Sequence, residues 1–153
     1  MMQICAGLSS EAITSENPGA YGSIHETFIH VLKAEVSFLK RIHGTYPEAA
    51  FNWEEKPNLQ QLMSYEIILH EALLNTLTSV PATQNVHEEG KGWIFDYQAR
   101  LIFMSVVYHG IAHRTDITTT LNKQGIKLPE LDVWGYQAAH PERFQAKITR
   151  TGT

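Results

Sequence analysis

Three stretches of this chain repeat apolar residues at helical spacing between recognisable start and stop signals. That pattern restricts the fold more than any other property. The first stretch opens on Ser23-Ile-His-Glu26, a capping box. There the Ser hydroxyl accepts from a free backbone N–H and the Glu reaches back to the N–H of the cap. Ile24, Phe28, Val31, Leu32, Phe38, Leu39 and Ile42 follow, and Gly44 is a natural stop, which predicts a helix over 23–43. Thr45–Pro57 holds two prolines and reads as a loop. Asn58 then caps a helix over 58–79, striped by Leu59, Leu62, Met63, Ile67, Leu73, Leu74, Leu77 and Val80 and ended by Pro81. The third helix is expected over 96–123, with Leu101, Ser105, Tyr108, His109, Ala112, His113 and Asp116 on one side and Gly125 as its stop.

Helices that each carry an apolar stripe must bury it against one another. The expected fold is therefore all-α, an up-down helical bundle forming one domain over 1–153. Around the main helices, residues 1–8 read as a short apolar stub and Ser9–Gly22 as a loop rich in Ser, Pro and Gly. Residues 82–95 read as an irregular loop or a short extended pair, 132–139 as a short helix and 140–153 as a fraying tail.

With 43% hydrophobic residues, the composition excludes a disordered or low-complexity chain. The net charge of −4 and the lack of a basic stripe argue against nucleic acid as a partner. Cys5 is the only cysteine, which excludes an intrachain disulfide and a Cys-rich zinc site. No apolar run approaches the ~18 residues of a membrane span. The first basic residue is Lys33, so a positively charged leader is lacking and a cytoplasmic location is expected.

Eight histidines in 153 residues are the unusual feature. His109-Gly-Ile-Ala-His113 is an i, i+4 pair, so on a helix both rings leave one face about 6 Å apart along the axis. That spacing suits two nitrogens closing on one metal ion. Chance supplies roughly 0.4 such pairs in a chain with this many histidines, so the spacing alone is weak. The competing reading is a buried pair, each ring hydrogen-bonded to a neighbour. HEXXH sites share the spacing, but the residue after His109 is Gly110, so that motif is absent. A third ligand must come from another helix. Helical phase leaves two candidates: His30, at the edge of the first stripe, and His70, with Glu66 one turn earlier on the same face.

Two segments together resemble the DinB/YfiT-like superfamily. One is Gly19-Ala-Tyr-Gly-Ser-Ile-His-Glu-Thr-Phe-Ile-His30, continuing to Glu35, where a loop and a capping Ser lead into a helix with one ligand His. The other is Tyr108-His109-Gly-Ile-Ala-His113-Arg114, followed by Leu121, Gly125 and Pro129. The resemblance covers about residues 2–137 and implies a metal triad of His30, His109 and His113, favouring His30 over His70. It implies an up-down four-helix bundle, often dimeric, holding a divalent ion such as zinc or nickel. It also makes Arg114 structural, with Glu35 as its expected ion-pair partner. Two departures stand out. Relatives begin with a full first helix, where this chain has a shortened one, and that would leave apolar surface for a partner chain or the tail to cover. Relatives also usually carry Gly-Gln where this chain has Thr115-Asp116, and Asp116 is placed to orient a ligand imidazole.

Three imidazoles and an open position describe a catalytic rather than a closed structural site, where a bound water's pKa falls toward ~7. The same ion can activate a thiol, and a low-molecular-weight thiol is what some relatives use. The resemblance therefore points to a metal-dependent S-transferase or hydrolase acting on a small molecule. Among the residues themselves Glu66, Asp116 and Tyr108 are candidate bases, and each also reads as a core polar residue or one that supports a ligand. The other classes are a metal-stapled bundle without catalysis and a bundle for stress-related protein association.

Overall fold

The computed structural model describes residues 1–130 and 132–144. Two compact units make up the chain, Met1–Thr120 and Leu121 onward. The first unit holds α1 (Met2–Cys5), α2 (Ser10–Thr14), α3 (Ile24–His43), α4 (Leu59–Ser79), strands β1 (Asn85–Gly90) and β2 (Trp93–Gln98), and most of α5 (Ala99–Lys123). The second holds the end of α5, α6 (Val133–Ala139) and α7 (Pro141–Phe144). Among the described residues no helix is long and apolar enough to cross a membrane.

Helices α3 and α4 begin and end where their local signals place them. Ser23 accepts from the Glu26 N–H while the Glu26 carboxylate accepts from the Ser23 N–H, and Asn58 and Gln61 make the same reciprocal pair on α4. Gly44 closes α3 in the left-handed region. Among the described residues these two helices make the most extensive helix–helix contact. The stripe read on α4 is only partly the buried one. Leu62, Tyr65, Leu69, Leu73 and Thr76 face inward, whereas Ile67, Leu74 and Leu77 are exposed. Apolar residues stand on both the inward and the outward face of α4, so periodicity does not single out the buried one.

The fold is mostly helical, and the short extended pair, one of the two readings of 82–95, is present as a two-stranded sheet. β1 and β2 pair antiparallel from Asn85↔Gln98 to Gly90↔Trp93 around the turn Lys91-Gly92, with Gly92 at φ 86°. Asp96–Gln98, expected as the first helical residues, belong to β2, and α5 starts at Ala99. The hairpin base satisfies the free N–H groups of the new helix: Ala99 N–H donates to Gln84 O and Arg100 N–H to Ala82 O. Val86, Ala99 and Ile102 form a buried cluster with Phe38, Ile42, Val80, Tyr97 and Val106 around it. That cluster joins the hairpin to α3 and α5 just beside the histidines.

Elsewhere, Ser10–Thr14 is a short helix capped by Ser9 where a loop is expected, and Met2–Cys5 is a single turn within the apolar stub that buries Met2 and Cys5. In the second unit, Asp132 caps α6 through the Gly135 N–H, which matches the expected helix over 132–139. Within the expected tail over 140–153, Pro141–Phe144 form a helical turn and 145–153 lie outside the described residues.

Candidate metal centre

α3 carries His30 and α5 carries His109 and His113. The inward stripe of α5 runs through Ile102, Val106, His109, Gly110, His113, Ile117 and Thr120. The two histidines thus replace one turn of an otherwise apolar helix face. His30 Nε2 lies 3.0 Å from His109 Nε2. One ligand nitrogen from each of His30, His109 and His113 lies within 4.8 Å of the others, and all three residues are half-buried. Ring centroids are 4.9 Å apart for His30–His109, 4.7 Å for His30–His113 and 4.5 Å for His109–His113.

The fit to an ion can be tested on these distances. Metal–nitrogen bonds of about 2.0–2.1 Å in a tetrahedron hold two ligand nitrogens about 3.3–3.4 Å apart. The His30–His109 spacing of 3.0 Å is within a few tenths of that. Two nitrogens so close must have a proton or a cation between them, because two lone pairs repel. Among the described residues the donor set is three imidazoles, which suits zinc, nickel, copper or iron.

The surroundings orient the rings. His113 Nδ1–H donates to Asp116 Oδ2 at 3.2 Å, which leaves Nε2 with a lone pair facing the cluster. Asp116 therefore does orient a candidate ligand. Phe38 meets the His109 ring edge-on at 6.1 Å and closes one side with apolar surface. On the other side Tyr21 stacks on His30, with centroids 3.9 Å apart. Tyr21 lies in an aperiodic loop, where no spacing marks it. Its flanking glycines are the only local hint.

The other five histidines have separate partners. His25 Nε2 meets the Pro57 carbonyl and His43 Nε2 the Thr76 hydroxyl. His87 pairs with Asp96 across the hairpin, and His140 sits 3.6 Å from Glu142. His70 Nε2 lies 3.7 Å from a Glu35 oxygen, and the Glu66 charge acts on the same ring. The Glu35 carboxylate holds the His70 pKa above its ordinary value, and burial raises that of Glu66.

The expected Arg114–Glu35 pair is not formed; Glu35 faces His70 and its second oxygen is buried without a hydrogen bond. Arg114 instead folds back along α5. A Cβ placed on Gly110 would sit 2.8 Å from Arg114 Nη1, so the glycine between the two histidines makes room for the guanidinium. Tyr108 is 67% exposed.

Burial pushes the pKa of both His30 and His109 below the ordinary imidazole value, and the neighbouring His113 pushes the same way. Protonating either ring therefore costs more in the folded chain than in the unfolded one. This penalty is absent above the unfolded value of about 6.5 and grows as pH falls from there to the lowered folded values. His70 has the opposite sign, adding stability at low pH that is lost as pH rises through its raised value. Ion binding follows the first pair, since only neutral imidazoles are ligands. A loaded protein is expected to keep its ion on dialysis at pH 7.5 and to release it below about pH 6. Full retention at pH 5 contradicts an all-imidazole site.

A model of the DinB family matches residues 1–147. The chain belongs to the DinB family. That match spans both histidine-bearing helices and the Gly19–Ser23 approach to α3, the segments on which the resemblance was drawn. No curated protein matches the chain. The DinB-family assignment rests on residues 1–147, and the geometry of the histidines stands beside it as a separate observation.

Proposed function

We propose that this DinB-family chain is a metal-dependent enzyme, a thiol-dependent S-transferase or a hydrolase acting on a small molecule. His30, His109 and His113 hold one divalent ion, zinc or nickel. The carrying observation is the convergence of three imidazole nitrogens from two helices. Three ligands leave a position open for a reactant, the pattern of catalytic rather than structural sites. A divalent ion there supplies Lewis acidity, lowering the pKa of a water or thiol that binds it. The chain's own residues keep His30 and His109 neutral by burial, fix the His113 tautomer through Asp116, and shut out water on the Phe38 side. A cavity of about 480 Å³ lined by Tyr21, Ile29, His30 and Lys33 lies against His30 and offers room for a small reactant there.

The proposed architecture is the DinB/YfiT up-down four-helix bundle, with α1 as a shortened first helix, in a cytoplasmic homodimer. Exposed Ile67, Leu74 and Leu77 on α4 and Met104, Val107 and Ile111 on α5 are the apolar surface such pairing would cover.

The test incubates the protein with a panel of thiols plus electrophiles, and with a panel of esters, with and without chelator. Turnover that stops with chelator and returns with zinc or nickel is expected, from protein that sediments as a dimer. A protein that binds the ion yet turns over neither panel supports the metal-stapled bundle instead.

A further inference from the structure

Ligand imidazoles are usually fixed by a hydrogen bond on the nitrogen that does not meet the metal. His113 has such a partner in Asp116. His30 does not: its only hydrogen bond among the described residues is the one to His109 at Nε2. What restrains the His30 ring is Tyr21, stacked on it at 3.9 Å and 30°, and roughly perpendicular to the His113 ring at 5.2 Å and 80°.

The loop that carries Tyr21 is tied to both histidine-bearing helices. Asn17 Nδ2 donates to the Thr120 hydroxyl on α5 at 2.6 Å, two turns beyond His113. At its other end Gly22 runs straight into the Ser23 capping box of α3. Gly22 has φ 129°, and a Cβ there would sit 2.9 Å from the Glu26 oxygen that closes the box, so the turn needs glycine. Gly19, at φ 93°, forms the earlier bend. The loop therefore spans from one ligand helix to the other with Tyr21 held over the place where they meet. The Tyr21 hydroxyl makes no hydrogen bond among the described residues, so its contact is through the ring face.

We propose that Tyr21 is a positioning residue for the metal centre, clamping the His30 imidazole so that Nε2 faces the nitrogens of His109 and His113. It does for His30 by stacking what Asp116 does for His113 by hydrogen bonding. This rests on the metal-site reading above, and the test separates the two.

Cobalt(II) is titrated into metal-free wild type, Tyr21→Phe and Tyr21→Ala, following the visible absorption bands and the affinity against a competing chelator. Tyr21→Phe keeps the ring face and is expected to match wild type in both. Tyr21→Ala is expected to bind about 10–100-fold more weakly, the range for losing a partner that orients a ligand, and with altered bands. Tyr21 is half-exposed in a loop, so helicity by circular dichroism should be unchanged in both variants. Wild-type affinity and bands in Tyr21→Ala overturn the proposal while the metal site stands. Equal weakening in both variants also overturns it, because the hydroxyl would then matter rather than the stacked face. A wild type that binds no cobalt removes the metal site, and the clamp with it.

Discussion

His113→Ala is expected to lose nearly all bound ion while keeping its helices. The variant removes one of three donors and, with it, the anchor of Asp116. Two imidazoles remain, and their nitrogens can hold an ion only with solvent completing the set. Loss of a mere outer partner weakens a site about 10–100-fold, so loss of a ligand must exceed that range. Metal analysis after equilibration with equimolar zinc reads the result. His113 is half-buried and its ring is edge-on to Tyr21, so the truncation leaves a modest gap rather than a broken core. Full occupancy in this variant would remove His113 from the site.

Asp116 separates orientation from ligation. Asp116→Ala deletes the acceptor of the His113 Nδ1 proton, and the affinity should fall by about 10–100-fold, less than in His113→Ala. Asp116→Asn retains an oxygen that can accept that proton but loses the charge, so it should fall between wild type and Asp116→Ala. Competition titrations with a chromophoric chelator order the three. If Asp116→Ala binds zinc as tightly as wild type, the 3.2 Å contact to His113 does not shape the centre.

The parts of this structure legible in the sequence are those fixed by neighbours along the chain. The ends of α3 and α4 follow from the Ser23 and Asn58 capping boxes, which are decided within four residues. The facing of His109 and His113 follows from helical spacing in the same way, and the placement of His30 beside them was drawn from family resemblance. What was not legible depends on partners distant in sequence. Asp96–Gln98 form a strand because Asn85–His87 lie opposite, and no local feature states that pairing. Ile67 and Leu74 look like core residues, but the partner of α4 sits on the other face, so they remain exposed. Arg114 and Glu35 have complementary charge and suitable spacing. The space left by Gly110 drew the guanidinium back along its own helix, and Glu35 turned to His70. Tyr21 was hidden for a different reason: a loop has no period, and only its ties to Thr120 and Ser23 put its ring on His30.

The central claim is that imidazoles from α3 and α5 converge to hold one divalent ion. It is tested most directly by elemental analysis of the intact chain, made without added nickel and purified without a metal resin, beside the His30→Ala variant. About one zinc or nickel ion per wild-type chain is expected, and almost none in the variant. A wild type that emerges empty and takes up neither metal at equimolar concentration would contradict it.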